Sequence, residues 1–381
     1  MNVRRLLQPF IATVTVLLVV GYAYSAARLA SELWECIVLA LPFVLIWIVP
    51  MYYWSRASDT ESWLDELAHS ASYVSMAWVS FLVVLTLLRD VVILVTALVP
   101  GLAPLHVATR DQGAAWVFIG SVVVLAMGIA IAMRGPRLRR VTIPIDDLHP
   151  DLHGYTIAQL TDIHVGRFIR RRYVARAVEL ATRFDPDLIA VTGDVVDGPV
   201  ERLRPHVAPL KALSNGRRAF LVLGNHDCYA GPTEWIAHFR SLGLHVLLND
   251  YVTLKKGEAR IRLGGVLDPA ARFTRFREGP RPDLARGPDD ADLRVLLAHN
   301  PQVAPGAAEA GFDLQLSGHT HGGQFFPWTL AVRLVHKRHV IGLSMEGRMR
   351  VYVSPGTGSW GPPVRFGTQP EVTLLKLVRA V

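Results

Sequence analysis

Five short motifs between residues 162 and 321 carry side chains that commonly bind metal ions. In chain order they are Asp162-Ile-His164, Gly193-Asp194-Val-Val-Asp197, Gly224-Asn225-His226-Asp227, His299 before Asn300-Pro301, and Gly318-His319-Thr320-His321. Carboxylate, carboxamide and imidazole ligands without a thiolate suit manganese, iron or zinc. A structural zinc site would instead be closed by four Cys or His ligands at tighter spacing. The motifs therefore predict a divalent-metal site that is not a structural zinc site.

Each motif follows a short apolar run with the composition of a buried β-strand. The runs read TIAQL, DLIAVT, AFLVL, RVLLA and DLQLS. Nearly continuous hydrophobic runs are typical of strands that are buried on both faces of a sheet. Open α/β sheets bind their ligands beyond the carboxyl ends of such strands. We therefore expect the five motifs to meet at one edge of a largely parallel sheet.

The candidate ligands are too many for one ion. Two ions about 3.5–4 Å apart form the arrangement that stabilises both the attacking and the leaving oxygen in phosphoryl chemistry, and they give a bound hydroxide near neutral pH. A carboxylate must then bridge the ions, and Asp194 is the central candidate. Taken alone, each motif could equally be a turn, a helix cap or a hydrogen-bonded histidine. The ordered set favours the metal site.

The motifs resemble those of the calcineurin-like metallophosphoesterase superfamily over residues 141–381. Two further stretches, from Gly318 to Gln324 and from Ser354 to Pro363, resemble its membrane-anchored subgroup. The resemblance implies that one ion is held by Asp162, His164, Asp194 and His321, and the other by Asp194, Asn225, His299 and His319. It implies that His226 lies beside the phosphate, where it stabilises the transition state or protonates the leaving oxygen. Asp197 would orient His226 by a hydrogen bond, while Asp227 would serve the backbone of its own loop.

The same resemblance implies an α-β-β-α sandwich, in which two facing mixed β-sheets are flanked by helices. The residues agree where they can be interpreted. Residues 171–184 have apolar positions at helical spacing and stop before Asp185-Pro186. Residues 232–242 predict a second helix with proline near its start. The segments RVYVSPG and EVTLLKLV predict further strands near the end of the chain.

The first 140 residues differ in kind and predict a transmembrane region ahead of a catalytic domain at 141–381. They hold only 10 of the 40 Lys and Arg residues. Four apolar stretches, at about 10–30, 33–54, 73–99 and 114–133, each reach the roughly 20 residues that cross a bilayer as a helix. A soluble four-helix bundle would require polar stripes, which these stretches lack. Arg89 and Asp90 lie inside the third stretch, as contacts between helices or, less favoured, as part of a substrate or ion path.

Basic residues predict the orientation in the membrane. With four spanning helices, the side of the catalytic domain collects seven Arg residues and the opposite side two, which favours a cytoplasmic catalytic domain. Cys36 and Cys228 are the two cysteines and give no sign of a disulfide framework. The pair Arg4-Arg5 ahead of an apolar run leaves twin-arginine export of the whole domain as the alternative.

The charge of the chain suits a phosphate-bearing substrate. The formal net charge is +8, with 30 Lys and Arg against 24 Asp and Glu in residues 141–381. Arg167 and Arg170 follow the first motif and are candidate substrate contacts. The basic and aromatic segment 272–277 is either a lid, a membrane-dipping loop or a solvated surface. Beyond net charge, nothing in the sequence indicates nucleic-acid binding.

These patterns predict a membrane-anchored phosphoesterase with two divalent ions. It would hydrolyse a phosphomonoester, phosphodiester or pyrophosphate by attack of a metal-bound hydroxide. Tethering to the bilayer makes an amphiphilic substrate attractive, such as a phospholipid or a nucleotide-linked lipid precursor. The alternatives are a non-catalytic scaffold or membrane sensor, which would be expected to have lost ligands, and a transporter with a regulatory phosphoesterase domain.

Overall fold

The chain folds into two compact units. The structure, a computed structural model, describes residues 9–48 and 63–380. The first unit runs to Ala130 and includes the segment Gly361–Phe366. The second unit comprises Ile131–Trp360 and the chain from Gly367 onward.

The described part of the first unit before Ala130 is largely helical. Its helices are α1 (Pro9–Leu29), α2 (Leu33–Leu45), α3 (Trp63–Leu98) and α4 (Ala103–Met133). Three segments are long and apolar enough to cross a membrane: Ala12–Leu29, Trp63–Leu98 and Pro100–Met133. The 13 residues of α2 would span only about 20 Å of a hydrocarbon core about 30 Å thick. The expected count of four spanning helices is therefore not confirmed, and the end of the stretch predicted at 33–54 lies outside the described residues.

Polar side chains join α1 to α3 inside this apolar unit. Asp90 accepts a hydrogen bond from the Tyr24 hydroxyl at 2.8 Å and pairs with the Arg28 guanidinium at 2.9 Å. Arg89 donates to the backbone carbonyl of Arg28 at 3.1 Å. Asp90 therefore finds its main partners on the neighbouring helix. This is the contact between helices that the sequence analysis favoured for Arg89 and Asp90.

Two six-stranded sheets form the second unit. The first has the order β1-β12-β2-β3-β4-β5 and the second β10-β11-β9-β8-β7-β6. The strands are β1 (Arg137–Ile145), β2 (Thr156–Leu160), β3 (Leu188–Thr192), β4 (Ala219–Val222), β5 (His245–Val246), β6 (Asp250–Lys256), β7 (Ala259–Gly265), β8 (Leu293–Leu297), β9 (Leu314–Ser317), β10 (Gly342–Glu346), β11 (Met349–Val353) and β12 (Glu371–Arg379).

Helices flank the two sheets of this unit. They are α5 (Arg171–Thr182), α6 (Val200–Val207), α7 (Asn225–Tyr229), α8 (Pro232–Ser241), α9 (Pro282–Ala285), α10 (Ala304–Glu309) and α11 (Trp328–His336). One buried apolar layer, including Ile157, Phe220, Leu263 and Leu316, lies between the two sheets. Separate clusters join each sheet to its helices. The expected α-β-β-α sandwich is confirmed.

The parallel strands bring the motifs together. In the first sheet β2, β3 and β4 run parallel, and in the second β7, β8 and β9 do. Their carboxyl ends therefore lie at one end of the sandwich, where the chain turns into each motif. Just beneath, the Gln159 side-chain amide donates to the Ser317 carbonyl at 3.0 Å and so ties the two sheets together. The motifs therefore lie at the end of the sandwich where the two sheets are joined.

Candidate metal centre

Five of the candidate ligands stand on left-handed backbone. Asp162, His164, Asp194, His319 and His321 have φ between 50° and 71°. Residues other than glycine are uncommon there, because the Cβ atom approaches the following carbonyl at a cost of about 1–2 kcal/mol each. Interlocking hydrogen bonds hold the loops in place, such as the one from the Asp162 N–H to the Gly193 carbonyl at 2.9 Å. Such concentrated strain is characteristic of functional sites.

Two glycines let these loops approach one another closely. A Cβ on Gly224 would collide with the Asp194 carboxylate, and a Cβ on Gly318 would collide with that of Asp162. The His319 N–H also donates to Asp162 Oδ1 at 2.9 Å. The glycines of the third and fifth motifs are therefore needed for the carboxylates of the first two to fit.

The first group of donor atoms comprises Asp162, His164 and His321, all buried and within 4.8 Å of one another. The Nε2 atoms of His164 and His321 are 3.0 Å apart, and His321 Nε2 lies 3.4 Å from Asp162 Oδ1. His164 Nδ1 lies 2.8 Å from Asp197 Oδ1. Since a carboxylate accepts, Nδ1 carries the proton, and in the neutral ring the lone pair of Nε2 points toward His321. Either a proton or a metal ion can occupy the space between these two nitrogen atoms.

The second group comprises Asp194, His299 and His319. His299 Nδ1 lies 2.9 Å from the Thr192 carbonyl and must donate to it. Its Nε2 then faces Asp194 Oδ2 at 3.1 Å and His319 Nδ1 at 3.2 Å. The neutral imidazole would again present a lone pair to other lone pairs. A proton or a metal ion must occupy such a position.

Asp194 lies between the two groups. Its Oδ2 is 3.1 Å from His299 Nε2 and 3.8 Å from His164 Nε2, while its Oδ1 accepts from the His226 N–H at 2.8 Å. Burial would raise its pKa, but the neighbouring histidines, His299 foremost, hold the pKa well below the ordinary range. The side chain is therefore an anion at neutral pH and is available to both groups.

The pKa values of two histidines depend on the charged groups around them. Burial lowers the pKa of His164, but Asp197, Asp194 and Asp162 outweigh it and raise the pKa to about 9. Burial and the charge of His299 lower the pKa of His319 to about 3. In the absence of metal, His164 is therefore protonated at neutral pH, whereas His319 is neutral.

His226 lies beside the two groups and reaches the surface. Its side chain is 24% exposed, and its Nδ1 lies 2.9 Å from Asp197 Oδ1. Asp197 thus accepts from both His164 and His226. Burial raises the pKa of Asp197, but these two histidines, His164 first, lower it to about 2. The expected contact between Asp197 and His226 is present, and the contact with His164 is an addition.

Asn225 offers a buried oxygen, and Asp227 shapes the loop. Asn225 Oδ1 is buried and has no hydrogen-bond partner among the described residues. The Asp227 carboxylate accepts from the N–H groups of Val195, Val196 and Gly224 at 2.9–3.1 Å. Asp227 therefore has the backbone role expected of it.

The unpartnered oxygen of Asn225, together with the converging lone pairs, fits a site for divalent cations.

The structure does not bring Arg167 and Arg170 into either donor group. Arg170 is exposed at the start of α5, and its Nε donates to the Arg167 carbonyl at 3.1 Å. Arg167 is half-buried. Their contact with a substrate stays a prediction.

Two residues near the site were missed by the sequence analysis. Asp268 follows β7 and is buried, with Oδ1 accepting from the Ala270 N–H and Oδ2 without a partner among the described residues. It ends the apolar run LGGVLD, the same signal that identified the other motifs. His336 closes α11 with its ring centroid 5.6 Å from that of His319. No strand precedes His336, so the sequence held no comparable signal for it.

Comparisons with known proteins agree with this site. A family model for the calcineurin-like phosphoesterases matches residues 155–323, which contain all five motifs. A zebrafish protein named as a transmembrane protein with a metallophosphoesterase domain is 32% identical, over 68% of this chain and 61% of its own length. An uncharacterised Helicobacter pylori metallophosphoesterase is 34% identical over 64% of each chain. The Bacillus subtilis metallophosphoesterase YkuE, also uncharacterised, is 30% identical over 59% of this chain and 79% of its own. The chain spans about three fifths of the length of the first two relatives.

Proposed function

The chain belongs to the calcineurin-like metallophosphoesterase family, and from that premise we propose that it is a membrane-anchored hydrolase of phosphoric esters with two divalent ions. Residues 1–140 would form the anchor and residues 141–381 the catalytic domain. The observation that carries the proposal is the position of Asp194 between two groups of donor atoms whose lone pairs converge.

The proposed ligands divide about Asp194. Asp162, His164 and His321 would hold one ion with it, and Asn225, His299 and His319 the other. Manganese, iron and zinc all suit this set of oxygen and imidazole donors. Bound ions would lower the pKa of a water molecule and offset the negative charge of the phosphoryl group. The low pKa of Asp194 keeps the shared ligand ionised without a metal.

His226 would act on the substrate directly. Its Nδ1 is committed to Asp197 at 2.9 Å, so Nε2 is the atom that can donate to a leaving oxygen or to a charged phosphoryl oxygen. Asp197 fixes the tautomer and the ring angle of His226 and of His164 at once. One carboxylate would therefore position both a metal ligand and the catalytic imidazole.

We also propose that the catalytic domain is cytoplasmic. With three spanning helices the N-terminus moves to the opposite side of the bilayer from the catalytic domain. The side of the catalytic domain then collects Arg28, Arg56, Arg134, Arg137, Arg139 and Arg140, and the other side Arg4, Arg5 and Arg110. Six against three still follows the positive-inside rule. A substrate at the bilayer surface, such as a lipid phosphoester, would suit an enzyme tethered in this way.

The test is turnover by the full-length protein in detergent. We expect p-nitrophenyl phosphate or its bis ester to be hydrolysed, the activity to be lost with chelator, and manganese, iron or zinc to restore it. His299→Ala should abolish turnover, while His153→Ala, which alters an exposed histidine of the same domain, should not. A protein that binds two ions but hydrolyses neither ester would contradict the proposed hydrolase activity and support a non-catalytic scaffold.

A further inference from the structure

Helix α11 has an exposed apolar face. None of its nine residues is fully buried. Leu334 is 81% exposed, Val335 67% and Leu330 56%, and Trp328 on the first turn is 46% exposed. The opposite side, with Thr329, Val332 and His336, faces inward. A helix in a soluble domain normally turns such a stripe toward the core. The exposed apolar side of α11 therefore indicates a surface made to contact something else.

The neighbouring strand extends this face. Ile341, Leu343 and Met345 are about 40% exposed, on and just before the edge strand β10. Both segments border the turn Gly322–Gly323. A Cβ on Gly323 would meet the backbone of Thr329, and one on Gly322 would meet the Ile341 side chain. We call the exposed side chains of Trp328, Leu330, Leu334, Val335, Ile341, Leu343 and Met345 the α11 face.

Positive charge surrounds the α11 face. Arg333, Lys337 and Arg338 are exposed, and no acidic residue occurs between Trp328 and Met345. The next acidic side chain, Glu346, is already engaged by His339 at 2.9 Å. A short helix with apolar residues on one side, basic residues beside them and an aromatic ring near its end has the composition of a helix that lies in a membrane interface.

We propose that the α11 face docks onto the surface of a phospholipid bilayer that carries anionic headgroups. Charge complementarity argues for this occupant, since basic side chains near a membrane are attracted by anionic lipid. The chain also carries three helices that fit a bilayer, so a lipid surface is present wherever it is anchored. A protein that bound the same face would need acidic side chains to match these basic residues.

The docked helix would also belong to the catalytic site. His336 lies on the same helix, and its ring centroid is 5.6 Å from that of the proposed ligand His319. Only seven residues lie between Trp328, at the start of the α11 face, and His336, beside the proposed metal centre. Docking would present the site to phosphoesters held in the lipid headgroup layer. This consequence depends on the proposed function, whereas the docking itself does not.

The experiment maps lipid contacts on the full-length protein. The protein is placed in nanodiscs that contain a phospholipid with a photoactivatable diazirine, with either phosphatidylglycerol or phosphatidylcholine as the other lipid. After illumination, mass spectrometry locates the adducts. We expect adducts on the peptides that cover 328–337 in anionic discs and fewer in neutral discs. Adducts on α3 and α4 serve as the internal control for labelling.

Two matched variants test the assignment. Leu334→Asp should lower adducts on the α11 peptides about tenfold, because an exposed leucine that enters lipid on docking would be replaced by a charge. Leu284→Asp should leave them unchanged, since Leu284, at 48% exposure, lies on a different helix, α9. The unfolding midpoint of both variants should match the wild type, because both side chains lie at the surface.

Several outcomes would overturn the proposal. These are α11 peptides that stay unlabelled while α3 and α4 are labelled, labelling that survives Leu334→Asp, and cross-links from α11 to a second protein chain instead of lipid. Equal labelling in both kinds of disc would overturn the role of anionic headgroups. Because labelling needs no turnover, an inactive protein with labelled α11 would reject the proposed function alone.

Discussion

Both units of this molecule contain clusters of ionisable groups, but the clusters differ in kind. In the helical unit, the Asp90 carboxylate is matched by donors, a guanidinium and a hydroxyl from α1, and we call this the balanced cluster. In the sheet unit, carboxylates and imidazoles face one another, so that several potential acceptor atoms converge, and we call this the unbalanced cluster. A balanced cluster stabilises a contact between helices. An unbalanced one can bind a proton or a metal ion, which makes it the candidate for chemistry.

The largest expected effect comes from removing the shared carboxylate. Asp194→Asn should reduce turnover at least a thousandfold, since loss of the shared ligand removes several kcal/mol of electrostatic stabilisation. The measurement is kcat for p-nitrophenyl phosphate with saturating manganese. Asp283→Asn, which alters an exposed ion pair with Arg281, should retain wild-type kcat. If both variants lost a comparable share of kcat, the effect could not be assigned to the unbalanced cluster.

The next effect separates catalysis from metal binding. His226→Ala should lower kcat by about 10²–10⁴, the usual contribution of a general acid or base. Metal content should stay at the wild-type level, because the His226 imidazole lies outside both proposed ligand sets. The measurements are kcat and the number of bound metal ions, taken on the same preparation of the variant. Loss of an ion in this variant would place His226 among the ligands.

The pH dependence of metal binding tests the excess of acceptors directly. In metal-free protein the pKa of His164 is raised to about 9, above its unfolded value of about 6.5. The protonated ring thus stabilises the metal-free fold below pH 6.5, and this contribution is lost as pH rises through 9. Since an ion must displace that proton, metal affinity should rise up to tenfold per pH unit between 6.5 and 9.

Calorimetric titration in buffers of different ionisation enthalpy would count the proton released on binding. Asp197→Asn removes the carboxylate that does most to raise the pKa of His164, so the pH dependence should move to lower values. Metal affinity that is independent of pH in the wild type would show that the site holds no displaceable proton.

The smallest effect on activity should come from the balanced cluster. Asp90→Asn should leave turnover unchanged and lower the free energy of unfolding by about 1.5–3 kcal/mol, the range for hydrogen bonds to a charged group. Thermal unfolding in detergent, with Arg28→Gln and the double variant, gives the coupling energy. A large loss of kcat in Asp90→Asn would favour a substrate or ion path through the helices.

The metal centre could be predicted because its ligands follow strands. Runs such as DLIAVT specify a buried parallel strand, and parallel strands bring their carboxyl ends together. Asp268 follows the same rule and was recoverable from the same pattern. His336 was not, since only the packing of α11 against the Gly322–Gly323 turn brings it to His319. A contact made by tertiary packing leaves no local periodicity.

The helical unit was predicted less well for a different reason. A hydropathy criterion measures the apolar length of a segment, not the length of the helix that contains it. Helix α3 begins at Trp63 rather than at 73, and α4 at Ala103 rather than at 114, because polar residues continue the backbone hydrogen bonding beyond the apolar stretch. In the described part of the second stretch, the helix ends at Leu45.

The central claim is that two ions share Asp194, and counting metal tests it most directly. Full-length protein, stripped with chelator, reloaded with manganese and desalted, should contain two ions per chain by elemental mass spectrometry. Asp194→Ala should retain at most one, whereas Asp283→Ala should retain two. Two ions retained in Asp194→Ala, or a fully active wild type with a single ion, would contradict the account.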